Sequence, residues 1–571
     1  VDYTIKIGGE AGQGVQTVGE LLADVFARMG YHVFTNQDYE SRVRGGHNFY
    51  QIRVAVEPIT AAIESADIVV ALDRASIEQH RGELREGGVL VMDAEALGEK
   101  PEGDEVLDVP FRKLAVEEGG GAVMANVVAT GAVLGMLGMP TAAMEDLLRA
   151  RFGKKGEAVV EGNLKSLRAG HAYAKENCRQ CRFLPGEAPG GPKVLVTGLE
   201  AAALGALASG VKFYSAYPMT PSTGVMNHIA ERAREFGVVV EQAEDEIAAI
   251  NMAIGASFAG VRAATGSSGG GFALMVEGLS LAAMTETPLV IFEVQRPGPA
   301  TGFPTRTEQG DLLFVLFSGH GEFPRAVFAP GSPEECVTLT NKAFDLAEKY
   351  QVPAFVVFDQ YLGDAQWTYD ALEPELVYKD YRLRGEALRA LPSYNRYALT
   401  AGGVNPLAVP GESQHLVVAD SDEHDEAGHM VEDAPTRIAM TKKRLHAKLG
   451  PLSAEIAPPI LEGGDGGERP EIVLVGWGSS YGVLRETVAA MRARGRAAAM
   501  LFFSELWPFP VGDYLEILVE APTVVCVEGN ATGQFAKLFR METGYHFRRQ
   551  VLRYDGRPLT AEYILRELHD V

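Results

Sequence analysis

Three times along this chain a short β-rich run breaks into glycine or proline and gives way to residues spaced for a helix. Tyr3–Ile7 leads into Gly8-Gly-Glu-Ala-Gly-Gln-Gly14, and then Val18, Leu21, Leu22, Val25, Phe26 and Met29 recur at helical spacing. Val211–Tyr214 leads into Tyr217-Pro-Met-Thr-Pro-Ser-Thr223, followed by Val225, Met226, Ile229, Ala233 and Phe236. A third unit starts at Glu471–Val475. Further strands are expected at Tyr31–Thr35, Phe49–Ala55, Ile68–Leu72, Val89–Met92, Val238–Glu241, Arg262–Thr265, Leu289–Val294 and Ala354–Phe358. Alternation of this kind specifies an α/β fold, because parallel strands need crossover helices and those helices cover the sheet.

Two stretches read as linkers. One is Leu184-Pro-Gly-Glu-Ala-Pro-Gly-Gly-Pro192; the other combines Pro458-Pro with Gly463-Gly-Asp-Gly-Gly-Glu-Arg-Pro470. They predict an α/β domain over residues 1–183, a second over 193–365, a polar connector over 366–470 and a third α/β domain over 471–571. A length of 571 residues accommodates that number of domains.

Charge and cysteine content exclude several classes. The formal net charge of −24 argues against a nucleic-acid binder, whose affinity needs basic patches. Four cysteines are too few for a disulfide scaffold, and Cys178-Arg-Gln-Cys181 alone cannot supply four metal ligands. That pair reads as two thiols near a domain end. No membrane-length apolar run and no basic-then-apolar leader is seen, so a soluble, cytoplasmic protein is expected.

Chemistry-bearing residues gather at expected strand ends, where open α/β sheets bind ligands. Thr220 reads as a helix N-cap with Pro221 at the first helical position. Val238-Val-Val240 ends in the carboxylates Glu241, Glu244, Asp245 and Glu246. Acids in a first helical turn complement the helix dipole, which accounts for some of them but not for one at the strand end itself. Gly266-Ser-Ser-Gly-Gly-Gly271 permits close backbone approach to a ligand. The loop from Gln295 to Thr305, rich in glycine and proline and carrying Arg296, suits an anion.

Taken together, these segments resemble the pyrimidine-binding domain of the 2-oxoacid:ferredoxin oxidoreductases. The family's tyrosine-proline-x-threonine-proline-serine pattern is met at Tyr217–Ser222, and its arginine-x-glycine-proline loop at Arg296–Thr305. Gly12-Gln-Gly14 and Arg44-Gly-Gly46 look like the family's γ domain, although Ala11 stands where relatives usually carry glycine. Asp422-Glu-His-Asp-Glu-Ala-Gly-His429 looks like its α connector, and Leu506-Trp-Pro-Phe-Pro510 and Glu528–Gln534 like its transketolase-C-type domain.

The resemblance implies a γ-type domain, a thiamine-diphosphate pyrimidine-binding domain and a transketolase-C-like domain in one fused γ/α subunit. It implies CoA-dependent oxidative decarboxylation of a 2-oxoacid, with electrons passed to ferredoxin, and the reverse carboxylation. Glu244 would hold the aminopyrimidine, with Glu246 and Glu241 as fallbacks. Thr220, Arg296 and Thr305 would contact the substrate; Tyr217, Pro218 and Gly269 would line the cofactor; Gly12, Gln13 and Gly14 would approach coenzyme A.

The glycine-aspartate-glycine motif that holds Mg2+ and diphosphate is missing from any strand end. Gly464-Asp465-Gly466 lies in a linker. A separate β subunit is therefore expected to bring the diphosphate site and Mg2+, and also the iron–sulfur cluster, which the cysteines here cannot hold; the resemblance implies an (αβ)2 heterotetramer served by ferredoxin. 2-Oxoglutarate is the expected substrate, since the fused two-subunit form includes many enzymes for it and no ferredoxin-like tail is present. Pyruvate, branched-chain 2-oxoacids and a non-catalytic thiamine-binding or assembly protein are the alternatives. Gly9-x-x-Gly12-x-Gly14 lacks the dinucleotide spacing, Arg42, Arg44 and His47 read as a polar loop, and His424 with His429 is a weak metal candidate.

Overall fold

The computed structural model describes residues 2–41, 45–179, 181, 183, 186–188, 190–463 and 469–569. Arg42, Arg44 and Gly464-Asp465-Gly466 lie outside these. The chain divides into two compact units. The first comprises Val1–Val196, Asp364–Leu372 and Thr560–Arg566; the second comprises the remainder.

The first unit is built on an eight-stranded mixed sheet in the order Val106–Asp108, Leu84–Met92, Ala66–Ala71, Asp2–Ala11, Gly45–Ala55, His32–Asp38, Gln366–Tyr369, Val194–Thr197. Ala66–Ala71 runs parallel to Asp2–Ala11, and Gly45–Ala55 runs antiparallel to it. The helix Val15–Arg28 buries Val18, Leu21, Leu22, Val25 and Phe26 on the sheet, the stripe expected from their spacing. The supposed glycine loop is shorter than its composition suggests. The first strand continues through Gly8 and Gly9 to Ala11, because its antiparallel partner pairs as far as Glu10 with His47. Gly8 is there for space: a Cβ would lie 2.6 Å from Ser76 Oγ. His47 accordingly stands on a strand, not in a surface turn. Cys178 and Cys181 form a disulfide with Cα atoms 5.5 Å apart, and are not free thiols.

The second unit holds a seven-stranded sheet in the order Glu505–Trp507, Ala326–Phe328, Pro353–Asp359, Leu289–Gln295, Arg262–Ser267, Val211–Ala216, Val239–Gln242. All pairs are parallel except the one made by Glu505–Trp507. A five-stranded sheet carries the C-terminal segment around Ile472–Trp477. Both sheets share one core, in which Phe272, Met275 and Leu279 meet Leu312, Val315, Trp477, Phe503 and Phe535. Each such side chain contributes about 1.5–3 kcal/mol by leaving water.

The connector holds more structure than its polarity suggests. Helical residues run from Ala434 to Ser453. Their buried anchors are charged: Lys443 and Lys448 each reach a carboxylate oxygen of Glu286 at 2.5 Å. An apolar period was therefore absent from the sequence. Nearby, Arg262 pairs with buried Glu348 at 2.9 Å, and Arg382 contacts the same carboxylate. His424 is fully buried with its ring 4.0 Å from that of Tyr397, while His429 is exposed. Neither is near a third metal-type ligand among the described residues.

Candidate active site

The carboxyl ends of the parallel strands in the second unit bring most of the predicted site residues to one edge. The helix after Val211–Ala216 starts at Thr223, with Ser222 as its cap. This differs from the expected cap at Thr220 with Pro221 as first helical residue. The carbonyl of Thr220 is otherwise engaged: it accepts from Arg296 Nη1 at 2.7 Å, so the helix opens only after Ser222. That hydrogen bond joins two residues far apart in sequence. Arg296 is half-buried, and burial holds its pKa below the usual arginine range. Thr305 is buried in the same loop, Pro218 is half-buried, and Tyr217 is 42% exposed.

The acids after Val239–Gln242 divide into two kinds. Asp245 caps the helix Glu246–Phe258 by accepting from Ala248 N–H at 2.7 Å. Glu246 is 3% exposed, and its Oε1 has no hydrogen-bond partner. It lies beneath Gly271, where a Cβ would come within 2.3 Å of that oxygen. Glu244 and Glu241 point into solvent at the open edge of the sheet. Ile247, Met252 and Leu274 are exposed on the flanking helices.

Gly269 opens the helix Gly269–Met284. A Cβ there would meet Asp311 Oδ2 at 2.4 Å. Asp311 was not singled out from sequence, and neither was Glu293, a fully buried carboxyl inside the strand Leu289–Gln295. The signal for Glu293 was present: an acid interrupts an otherwise apolar run in Leu-Val-Ile-Phe-Glu-Val-Gln. Burial and the neighbouring Asp311 push its pKa well up, and burial raises Asp311 to about 6.

In the first unit, Gly12 and Gly14 take φ of 94° and 82°, a left-handed backbone open to glycine. Gln13 folds back so that its Oε1 accepts from Glu10 N–H at 2.8 Å. A cleft of about 310 Å³ lies on one side of this turn, lined by residues including Leu72, Asp93, Phe111, Arg112 and Asn126. Another of about 630 Å³, reaching Tyr39 and Asn48, also borders it. Both adjoin a loop at the carboxyl end of a parallel strand pair, the usual place for a ligand.

Comparison with known proteins agrees with this architecture. Residues 204–443 match the thiamine-diphosphate-binding family of pyruvate flavodoxin/ferredoxin oxidoreductases. Residues 4–173 match the pyruvate ferredoxin/flavodoxin oxidoreductase family, and 470–563 the core domain II of pyruvate:ferredoxin oxidoreductase. The chain is 30% identical to the α subunit of 2-oxoacid:ferredoxin oxidoreductase 1 of Aeropyrum pernix, over 100% of this chain and 97% of that one. It is 29% identical to 2-oxoglutarate oxidoreductase subunit KorA of Mycobacterium tuberculosis, over 94% and 87%. A solved 2-oxoglutarate:ferredoxin oxidoreductase from Magnetococcus marinus, with 2-oxoglutarate, coenzyme A and succinyl-CoA bound, superposes with a TM-score of 0.91 at 31% identity, covering 100% of this chain and 99% of that one. The chain belongs to the 2-oxoacid:ferredoxin oxidoreductases, as an α subunit.

Proposed function

We propose that this subunit acts in the CoA-dependent oxidative decarboxylation of 2-oxoglutarate to succinyl-CoA, and in its reverse, with electrons exchanged with ferredoxin. The observation that carries the site reading is the hydrogen bond from Arg296 to Thr220, which sets a guanidinium at the sheet edge beside a glycine-opened helix. A planar guanidinium suits the carboxylate of a 2-oxoacid. The 2-oxoglutarate and succinyl-CoA held by the Magnetococcus enzyme favour that substrate over pyruvate or branched-chain acids.

The residues at this edge fit an aminopyrimidine: a carboxylate at a strand end, an aromatic ring at Tyr217 and a helix start bare of side chains at Gly269-Gly-Gly271. When bound, thiamine diphosphate supplies a nucleophilic carbon and an electron sink for decarboxylation. Glu244 holds the proton on the ring nitrogen, Tyr217 and Pro218 line the ring, and Thr220, Arg296 and Thr305 orient the 2-oxoacid. Gly12 and Gly14 would offer backbone N–H groups to coenzyme A beside the 310 Å³ cleft, while Gln13, whose N–H donates to the Glu10 carbonyl at 3.1 Å, would hold the turn in shape.

A carboxylate grips a ring nitrogen well only where water is excluded. The exposure of Glu244, with exposed Ile247, Met252 and Leu274 nearby, supports a site closed by a β subunit. That subunit would bring Mg2+, the diphosphate site and the iron–sulfur cluster. Cys336 and Cys526 are buried singly, and Cys178 is paired with Cys181, which leaves no cysteine set here to hold a cluster. The test is to co-express this chain with candidate β subunits and follow viologen reduction. A complex that reduces the dye with 2-oxoglutarate and coenzyme A is expected. Turnover by this chain alone, or preference for pyruvate, would overturn the corresponding part of the reading.

A further inference from the structure

The chain carries a formal charge of −24, yet one part of its surface has the opposite sign. Between Gln534 and Arg557 six lysines and arginines stand against two acids. In that stretch the helix Gln534–Thr543 buries Phe535, Ala536, Leu538 and Phe539 in the shared core. Lys537, Arg540 and Met541 are exposed at i, i+3 and i+4, so they share one outward stripe. Glu542, two positions past Arg540, does not face along it.

The segment after the helix adds positive charge beside it. Phe547 is buried with its ring 4.9 Å from that of Phe539, and its neighbours His546 and Arg548 are exposed. The chain then enters the strand Arg549–Leu552 at the edge of the five-stranded sheet. The side chains of Lys537, Arg540, His546 and Arg548 make no ion pair or hydrogen bond among the described residues, whereas Arg553 is held by Asp555 at 3.1 Å.

Local structure explains part of this. Charge beside an edge strand discourages pairing with another chain, which accounts for Arg548. Arg540 stands in the last turn and suits the negative end of the helix. Neither reason covers Lys537 in mid-helix or Met541, which is 54% exposed. An anionic protein fits the whole group. At physiological ionic strength charges beyond about 8 Å are screened, so such a partner responds to these cations and not to distant acids. Cations around one apolar side chain favour fast, oriented and reversible encounter. A carrier whose iron–sulfur cluster is held by thiolates brings the negative charge and needs that kind of encounter.

We propose that the outer face of the helix Gln534–Thr543, with Lys537, Arg540, His546 and Arg548 around Met541, is the docking surface for an acidic ferredoxin. This rests on the reading above that the enzyme exchanges electrons with such a carrier.

The experiment uses the complex of the full chain with its β subunit, supplied with 2-oxoglutarate and coenzyme A. Electrons are collected in parallel by a purified acidic ferredoxin and by methyl viologen, a small cation that needs no anion-binding surface. The double variant Lys537→Glu with Arg540→Glu should raise KM for ferredoxin roughly tenfold or more, because reversed rim charges slow association. Its viologen-linked kcat should stay at the native value, and Lys537→Arg should keep both activities native. In the native complex KM for ferredoxin should rise several-fold between about 50 and 300 mM salt, and that rise should flatten in the double variant. An unchanged KM and salt dependence in the double variant would overturn the proposal. So would equal loss of both activities, or a β subunit that no longer co-purifies, since the face would then serve catalysis or assembly. A native complex that never reduces viologen would overturn the function proposed above, and this inference with it.

Discussion

Glu244 and Glu246 stand two positions apart, yet one is exposed and the other is sealed under a glycine helix. Their substitutions should therefore differ in kind. Glu244→Gln should leave the thermal midpoint unchanged and lower kcat of the complex by about 10²–10⁴, the range of a lost acid–base group. Glu246→Gln should show its main effect in stability, read by denaturant midpoint. The opposite pattern would transfer the cofactor role to Glu246. Arg296→Ala should cost about 2–5 kcal/mol in kcat/KM if it faces a desolvated carboxylate. Residue types at this edge were legible in sequence, because glycine and proline punctuate the strand ends after which they stand. The burial of each was not, since exposure depends on which neighbouring helix covers which turn. Glu293 shows the limit: its carboxyl stood out in an apolar strand, but its full burial and the acid Asp311 that acts on it come only with folding.

Elements followed the same division. Strands with β-branched runs and helices with apolar stripes were found where expected, within a few residues of their ends. The helical stretch Ala434–Ser453 was missed because its anchors are Lys443 and Lys448 rather than leucines. That anchor gives a prediction at this scale. The two lysines hold Glu286 far below the ordinary carboxylate range, at about 2 against 4.5. A depressed carboxyl stabilises the fold above pH 4.5 and loses that contribution as pH falls through about 2. Glu286→Gln should cost about 3–5 kcal/mol at neutral pH, because it strands buried ammonium groups. The gap from the native protein should narrow in acid, which denaturation at a series of pH values would check.

For the molecule as a whole, the linkers pointed to several domains, and the structure groups them into two compact units. Strand Gln366–Tyr369 joins the sheet of the first unit although the sequence sets it beyond the second α/β segment. In the same unit His47 Nε2 and His80 Nε2 are 2.7 Å apart, with His80 Nδ1 at 3.0 Å from Glu83. Burial and His80 hold the His47 pKa below 6.5. The stability contributed by neutral His47 is present above pH 6.5 and is lost as pH falls below it. Amide protection along Gly45–Ala55, with exchange rates corrected for their intrinsic pH dependence, should fall between about pH 7 and 5, and His47→Gln should flatten that change.

What the sequence determined by itself was the periodic pattern: alternating strands and helices, glycine and proline at the turns, and the reactive residue types placed after each strand. Those depend on local backbone preferences and on side-chain spacing, which any stretch carries within itself. Only the tertiary structure decided which acid is wet and which is dry, that Arg296 reaches the carbonyl of Thr220, and that charged side chains anchor the connector. Such facts depend on contacts between residues distant in the chain, where the low dielectric of the interior makes a single neighbouring charge decisive.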